Sequence, residues 1–318
     1  MKYLSLCSGV GMFGLGIIDI FPDAECVGYS EIDKHAIGVY ENNFPDYDNL
    51  GDITKIKKVP KFDLVVAGFP CLDLTISKTD RKGLKGKDSK LFYDVLRIIK
   101  KRKCKFLIEN VASMSRDNKN KISELLGVEP MRICSDLVSA QSRERLYWFN
   151  WNAKFPKDKK IYFEDIAENG VDDKYYINFK TKKLLKMSTF FGDADRIIRK
   201  SKSKVPVIIG WSKSTRYPKG KPSYVEMRKR FNGKANTLTT GVGCGSFSSK
   251  NFVIDKKGIR ILTPLECERL HTVPDFFTKY NIDGDVLSDN QRYKIIGNGV
   301  TKLIVTHLMR ALKKQGFN

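Results

Sequence analysis

Cys71 closes the run Gly68-Phe69-Pro70-Cys71, just past a strand signal over Asp63–Ala67 and ahead of a polar, Lys- and Gly-rich loop reaching about Lys90. An isolated cysteine usually packs as a small hydrophobe. Here a proline stiffens the approach, and the loop that follows is long enough to close as a lid. A free thiol ionises near pH ~8.5, so attack by sulfur needs a base or local positive charge, and the loop supplies Lys and Arg in quantity. A second apolar run, Phe106-Leu107-Ile108, ends in Glu109-Asn110, which places a carboxyl group on the same rim as an acid. Gln141-Ser142-Arg143-Glu144-Arg145 then opens another strand with two arginines two apart, on one face if extended, a pair suited to a carbonyl or an anion.

A third group sits at the N-terminus. Leu6-Cys7-Ser8-Gly9-Val10-Gly11-Met12-Phe13-Gly14 runs from a strand signal into a helix signal, and Gly9, Gly11 and Gly14 satisfy G-x-G-x-x-G. Glu31 follows about 20 residues on, where an acid accepts hydrogen bonds from a ribose. Alone, this pattern fits any ribose-bearing cofactor, a nicotinamide included.

These groups need a scaffold that brings them to one edge. Short apolar runs at Tyr3–Cys7, Glu25–Tyr29, Asp63–Ala67, Lys105–Glu109 and Arg145–Asn150 read as strands. Helical patterns at Met12–Ile20, Lys34–Asn43, Ser89–Lys101 and Asn118–Leu126 alternate with them. That alternation predicts an α/β fold with a doubly wound, largely parallel sheet, in which ligands bind beyond the carboxyl ends of the strands. From about Lys154 to Lys257 the chain is Lys-rich, its strand signals weaken, and Gly/Ser/Thr/Asn clusters recur, as in Thr237–Ser249: a small, irregular second domain. Helical signals return at Thr263–His271, Ser288–Ile296 and Thr301–Lys314, with Thr263-Pro264-Leu265-Glu266 as a helix start. The expected organisation is therefore 1–153, an insertion over 154–257, and a return over 258–318.

Composition narrows the function. The chain has 318 residues, 41% of them hydrophobic, enough to bury a core and to exclude a disordered state. No apolar run reaches the roughly 18 residues of a membrane span. Net charge is +22, and it is uneven: −5 over residues 1–80, +9 over 81–150, +16 over 151–260 and +2 over 261–318. A basic middle segment implies a polyanionic partner. Seven cysteines without C-x-x-C spacing, and three histidines, predict no metal site. The start MKYLSLCSG looks superficially like a lipoprotein leader, but four glycines break its apolar stretch, and it reads as a first strand in a reducing cytoplasm.

The order of these motifs is more informative than any one of them. The glycine-rich turn, Gly51-Asp52-Ile53, Gly68-Phe69-Pro70-Cys71, Glu109-Asn110-Val111, the Gln-x-Arg-x-Arg run, a basic variable stretch, Leu262-Thr263-Pro264-x-Glu266 and Gly297-Asn298-Gly299-Val300 follow one another. In this order they resemble the DNA cytosine carbon-5 methyltransferases, from Tyr3 to about Leu312, and in wording the phage and prophage branch. The resemblance implies a Rossmann-like, S-adenosyl-L-methionine-dependent methyltransferase with a target-recognition domain at 154–257. Its substrate would be a cytosine flipped out of double-stranded DNA. Cys71 would be the nucleophile, Glu109 the acid at ring nitrogen 3 and Arg145 the group on the cytosine carbonyl, with Arg143 supporting the closed catalytic loop. The cofactor contacts implied are Leu6, Cys7, Ser8, Gly9, Gly11, Glu31 and Ile32, then Asp52, Ile53, Pro70, Asn298 and Val300. Glu31 would meet the ribose hydroxyls and Asp52 the adenine amino group. A monomer in the bacterial cytoplasm, with a cognate restriction endonuclease as a candidate partner, completes the expectation.

The sequence departs from that family at three places. Cys7 stands where a phenylalanine is usual, which predicts weaker cofactor affinity; Leu72 replaces the glutamine after the nucleophile; and Lys78 replaces a loop glycine. None of these removes a group that does chemistry. Three other readings stay open at this point. A nicotinamide oxidoreductase would share the glycine turn and Glu31, a tRNA cytosine methyltransferase would share the chemistry, and a silent DNA-binding relative would share the fold.

Overall fold

The structure, a computed structural model, describes residues 1–75, 80–177, 207–210, 233–240 and 251–317. β1 (Lys2–Leu6), α1 (Met12–Ile18), β2 (Glu25–Ser30) and α2 (Lys34–Asn43) open the chain. A 3₁₀ turn at Ile53–Lys55 leads to β3 (Leu64–Ala67), and another at Ser89–Leu91 runs into α3 (Phe92–Lys100). β4 (Lys105–Val111), α4 (Arg116–Leu126), β5 (Met131–Cys134), β6 (Gln141–Ser142) and β7 (Glu144–Phe149) follow. Except for β6, these strands form one six-stranded sheet in the order β2-β1-β3-β4-β7-β5. The first four are parallel, whereas β7 runs antiparallel to both β4 and β5.

Period-two side-chain alternation divides the sheet between two cores. Tyr3, Leu64, Val66, Leu107 and Tyr147 face a core shared with α1 and α2. Leu4, Val65, Ile108, Leu146 and Trp148 face the opposite core with α3 and α4. Helices on both faces make the sheet doubly wound, as the alternating pattern predicts. The helix starts are written locally. Asp33 accepts from the His35 and Ala36 amides to begin α2, and Ser115 accepts from Asn118 to begin α4, which ends at Gly127 with φ +71°.

The basic stretch contributes β8 (Val207–Gly210) and β9 (Ala235–Asn236), followed by β10 (Asn251–Ile254) and β11 (Ile259–Ile261). β8, β10 and β11 form an antiparallel sheet, while β9 pairs in parallel with β6. Beside β9 the buried Lys234 donates to the carbonyls of Asp136, Ser139 and Ile161. A third core gathers Ala140, Phe163, Ala235, Leu238, Val253 and Leu262 with residues of the last helices.

Those helices are α5 (Pro264–Leu270), α6 (Asp289–Gly297) and α7 (Lys302–Lys313). Thr263–Glu266 and Ser288–Gln291 each close a capping box. α7 returns to pack on α1 at Gly16, where an added Cβ would lie 2.6 Å from Val305 Cβ. Overpacking of this kind costs ~1–3 kcal/mol. Gly16→Ala is therefore expected to lower the urea midpoint with an unchanged m-value, read by far-UV circular dichroism.

Candidate active site

The carboxyl ends of β1 to β4 open onto a cavity of about 730 Å³. Cys71, Glu109, Arg143 and Arg145 all line it, as do Cys7, Gly9, Glu31, Ile32, Asp52, Ile53, Pro70 and Asn298. Four expected cofactor residues do not. Leu6 and Val300 are buried in the two cores, Gly11 lies against the rings of Phe44 and Tyr40, and the Ser8 side chain is buried behind the turn. These four shape the backbone rather than face the cavity.

The half-buried Cys71 is set by its neighbours. Asn110 Nδ2 donates to Phe69 O at 2.8 Å, and Ser89 Oγ donates to Pro70 O at 3.0 Å, so the loop before the thiol is held from both sides. After it, Leu74 N and Thr75 N both donate to Cys71 O. Gly68 lies beside the acid: a Cβ there would stand at contact distance, 3.5 Å, from Glu109 Oε2. Glu109 is buried on β4 and pairs with Arg145 of β7, Nε to Oε1 at 2.9 Å. Burial pushes the Glu109 carboxyl above the usual range, with Arg145 and Arg143 opposing. Burial likewise raises the Cys71 thiol, against the pull of the Arg145 charge. A buried acid that retains its proton closer to neutrality and a thiol that needs activation thus share one cavity.

Arg143 is fastened to backbone carbonyls. Its guanidinium is buried, donating from Nη1 to Leu238 O at 2.8 Å and from Nη2 to Gly297 O and Gly299 O at 3.1 and 2.7 Å. It therefore ties the end of α6 to the segment after β9. The partners it shows are these carbonyls, while Ile76–Thr79 and with them Lys78 lie outside the described residues. Gly297 permits the same junction, because a Cβ there would lie 2.5 Å from the Thr239 carbonyl carbon.

At the other end of the cavity, Gly9 has φ +53° and its Cβ position faces open space. Glu31 Oε2 accepts from Gly9 N at 2.8 Å, and Oε1 accepts from Ile32 N and Asp33 N at 2.8 and 2.9 Å. Asp52 accepts from Thr54 N and Oγ1, which lowers its carboxyl below the usual range. Ile32, 72% exposed, and the buried Ile53 line the same cavity as these two carboxylates. An apolar lining beside two acceptors fits a purine with its ribose. Cys7 adopts φ +49°, rare for a residue with a side chain, and burial followed by the nearby Glu31 charge pushes its thiol up to about 12. It is a neutral, compact wall where a phenylalanine ring would be bulkier.

Several lining residues escaped the sequence reading. Lys294 of α6 reaches Asp33 at 2.6 Å across 261 positions, and Thr240, Phe69 and Leu91 also line the cavity. Leu72, noted only as a departure, is there too, 57% exposed. No local pattern marks Lys294, Thr240 or Leu91, whereas Phe69 and Asn110 stand in the same motifs as Cys71 and Glu109.

The sequence profile of one family, described as C-5 cytosine-specific DNA methylase, matches residues 1–314. Among individual proteins, the chain is 30% identical over 241 residues to the orphan methyltransferase M.SPRI of Bacillus phage SPR, a match covering 58% of this chain and 54% of that protein. The chain thus spans about half the length of that relative. It is 27% identical over 444 residues to the orphan methyltransferase M.SPBetaI of Bacillus phage SPbeta, covering 98% and 97% of the two. The solved structure of the Entamoeba histolytica methyltransferase EhMeth superposes with a TM-score of 0.69 at 14% identity, over 100% of this chain and 99% of that one, which shows a shared fold.

Proposed function

The chain belongs to the C-5 cytosine-specific DNA methylase family, and from that premise we propose that Cys71, Glu109 and Arg145 are its reacting groups and that Glu31 and Asp52 hold its cofactor. The reaction is methyl transfer to carbon 5 of cytosine in double-stranded DNA. The observation that supports the residue assignment is the shared cavity: a thiol, a buried acid and an arginine at one end, two carboxylates and an apolar lining at the other.

Carbon 5 of cytosine is a poor nucleophile within an aromatic ring. Addition of the Cys71 thiolate to carbon 6 forms a carbon–sulfur bond and breaks that aromaticity. Glu109 places its proton at ring nitrogen 3, which stabilises the resulting enamine, while Arg145 orients both the carboxyl group and the base carbonyl. When bound, S-adenosylmethionine supplies the sulfonium methyl that the activated carbon 5 accepts. Loss of the carbon-5 proton to water then expels the Cys71 thiolate, and return of the nitrogen-3 proton to Glu109 restores the neutral aromatic ring. Arg143 takes no part in bond making; it holds the Gly297–Gly299 turn against the Leu238 segment.

A base inside a duplex cannot reach this cavity, so it must be flipped out, at a cost of a few kcal/mol. The basic stretch, proposed as the recognition domain at 154–257 between catalytic parts at 1–153 and 258–318, would offset that cost through phosphate contacts. The likeness to phage enzymes named as orphans favours a solitary enzyme over one paired with an endonuclease. It would act as a monomer in a reducing cytoplasm; among the described residues no helix is long and apolar enough to cross a membrane. Base-resolution cytosine-conversion sequencing of DNA from cells expressing the chain tests the whole reading. Methylcytosine in one short recurring sequence is the expected result, and its absence would refute it.

For the cofactor end, Glu31→Gln exchanges an ionic acceptor for a neutral amide. Hydrogen bonds to charged groups contribute ~1.5–3 kcal/mol, so cofactor affinity should fall roughly 10- to 100-fold in a calorimetric titration.

A further inference from the structure

Away from the cavity, charge is concentrated where neither catalysis nor the basic middle segment has a use for it. Residues 1–80 hold seven cations against twelve carboxylates, yet four of the seven fall between positions 55 and 61. Positions 100–105, from the last residue of α3 onward, add five more. A chain-wide excess of lysine would spread through this acidic quarter; it does not.

The fold joins the two segments into one face. Lys101 Nζ donates to Lys57 O at 2.7 Å, Arg97 Nη1 donates to Ile56 O at 2.8 Å, and Lys105 N donates to Asp63 O at 2.8 Å. The Arg102 guanidinium lies 5.7 Å from the centre of the Phe62 ring. The lysines at 57, 58 and 61 and the four cations at 100–103 are exposed, and none has a carboxylate partner among the described residues. The carboxyl-end dipole of α3 accounts for Lys100 and Lys101. It does not account for the others, whose mutual repulsion opposes folding.

This face lies at the amino ends of β3 and β4, opposite Cys71 and Glu109. Strands of four to seven residues at ~3.3 Å each separate the two ends by roughly 13–23 Å. We propose that it is a second DNA-binding surface, which takes a segment of duplex other than the one presenting its cytosine to the cavity. The inference rests on the reading of DNA as substrate. Duplex DNA offers one phosphate charge per ~1.7 Å of axis, a match for a dense lysine face. It is also stiff over ~150 base pairs. A duplex of about 20 base pairs held at the catalytic end cannot bend round to this face, whereas a plasmid can return a distant segment to it. The second contact then keeps the enzyme at high effective concentration near further sites.

The test compares the wild type with the combined Lys57→Glu, Lys58→Glu and Lys61→Glu chain. Each is assayed for methyl transfer on a short duplex of about 20 base pairs and on a plasmid of several thousand, both carrying the sequence found by conversion sequencing. The expected result is an unchanged rate on the short duplex and a loss of about fivefold or more on the plasmid. The slope of log affinity against log salt on the plasmid should also fall by roughly 0.9 per lysine removed. Equal rates on the plasmid, or equal losses on both substrates, would overturn the second surface. Retention of the wild type alone on anionic phospholipid vesicles, with plasmid rates unchanged, would overturn it in favour of a lipid partner. A wild type inactive on the short duplex would instead defeat the functional reading, so the two failures are distinguishable.

Discussion

Cys71→Ala is expected to leave no methylcytosine in the DNA of expressing cells, while the purified variant still binds both cofactor and duplex. Among the described residues that line the cavity the thiols are Cys71 and Cys7, and alanine offers no substitute for the first. Cys7 cannot replace it. That thiol is held neutral, up to about 12, by burial and by the Glu31 charge beside it. The alanine variant should fold normally, because Asn110, Ser89 and the Leu74 and Thr75 amides hold the loop through backbone carbonyls at positions 69–71. Methylation persisting in this variant would refute the assignment of the nucleophile.

Glu109→Gln is the second large effect, a fall of ~10²–10⁴-fold in kcat/KM. Glutamine can still donate a hydrogen bond to ring nitrogen 3, but it has no proton to transfer. The pH profile separates this loss from simple misfolding. The reactive form needs Cys71 ionised and Glu109 protonated, and burial raises both groups. Raising pH fills the thiolate form and empties the protonated carboxyl, so the wild-type profile of kcat/KM is bell-shaped. With Glu109→Gln only the thiol titrates, and the profile becomes a single rise that levels off above the Cys71 pKa. An alkaline fall that survives the substitution would show that another group carries the proton.

Much of this site was legible because its residues end apolar runs. Val65, Val66 and Ala67 are buried and hand over at once to Gly68 and Cys71; Leu107 and Ile108 do the same for Glu109. Strand positions and caps therefore followed from local chemistry, including Thr263 with Glu266. β5 did not, because of its four residues only Ile133 is buried and no alternation shows. With β5 missed, the reversed direction of β7 was not foreseen either. Arg143 was legible as an arginine but not as a clamp. Its partners are backbone carbonyls more than 90 residues away, at positions whose side chains carry no trace of the contact. The pairing of Asp33 with Lys294 escaped because its two charges stand 261 positions apart.

Lys234 has a consequence for engineering new sequence specificity. Its ammonium group is fastened to the carbonyls of Asp136, Ser139 and Ile161, and the adjoining β9 is zipped to β6 next to Arg143. Whatever loops are exchanged to change the recognised sequence, residues 233–240 belong to the chassis rather than to the cargo. Transplants from relatives should leave residues 233–240 in place. A transplant that replaces Lys234 would take away the ammonium group that the carbonyls of Asp136, Ser139 and Ile161 share.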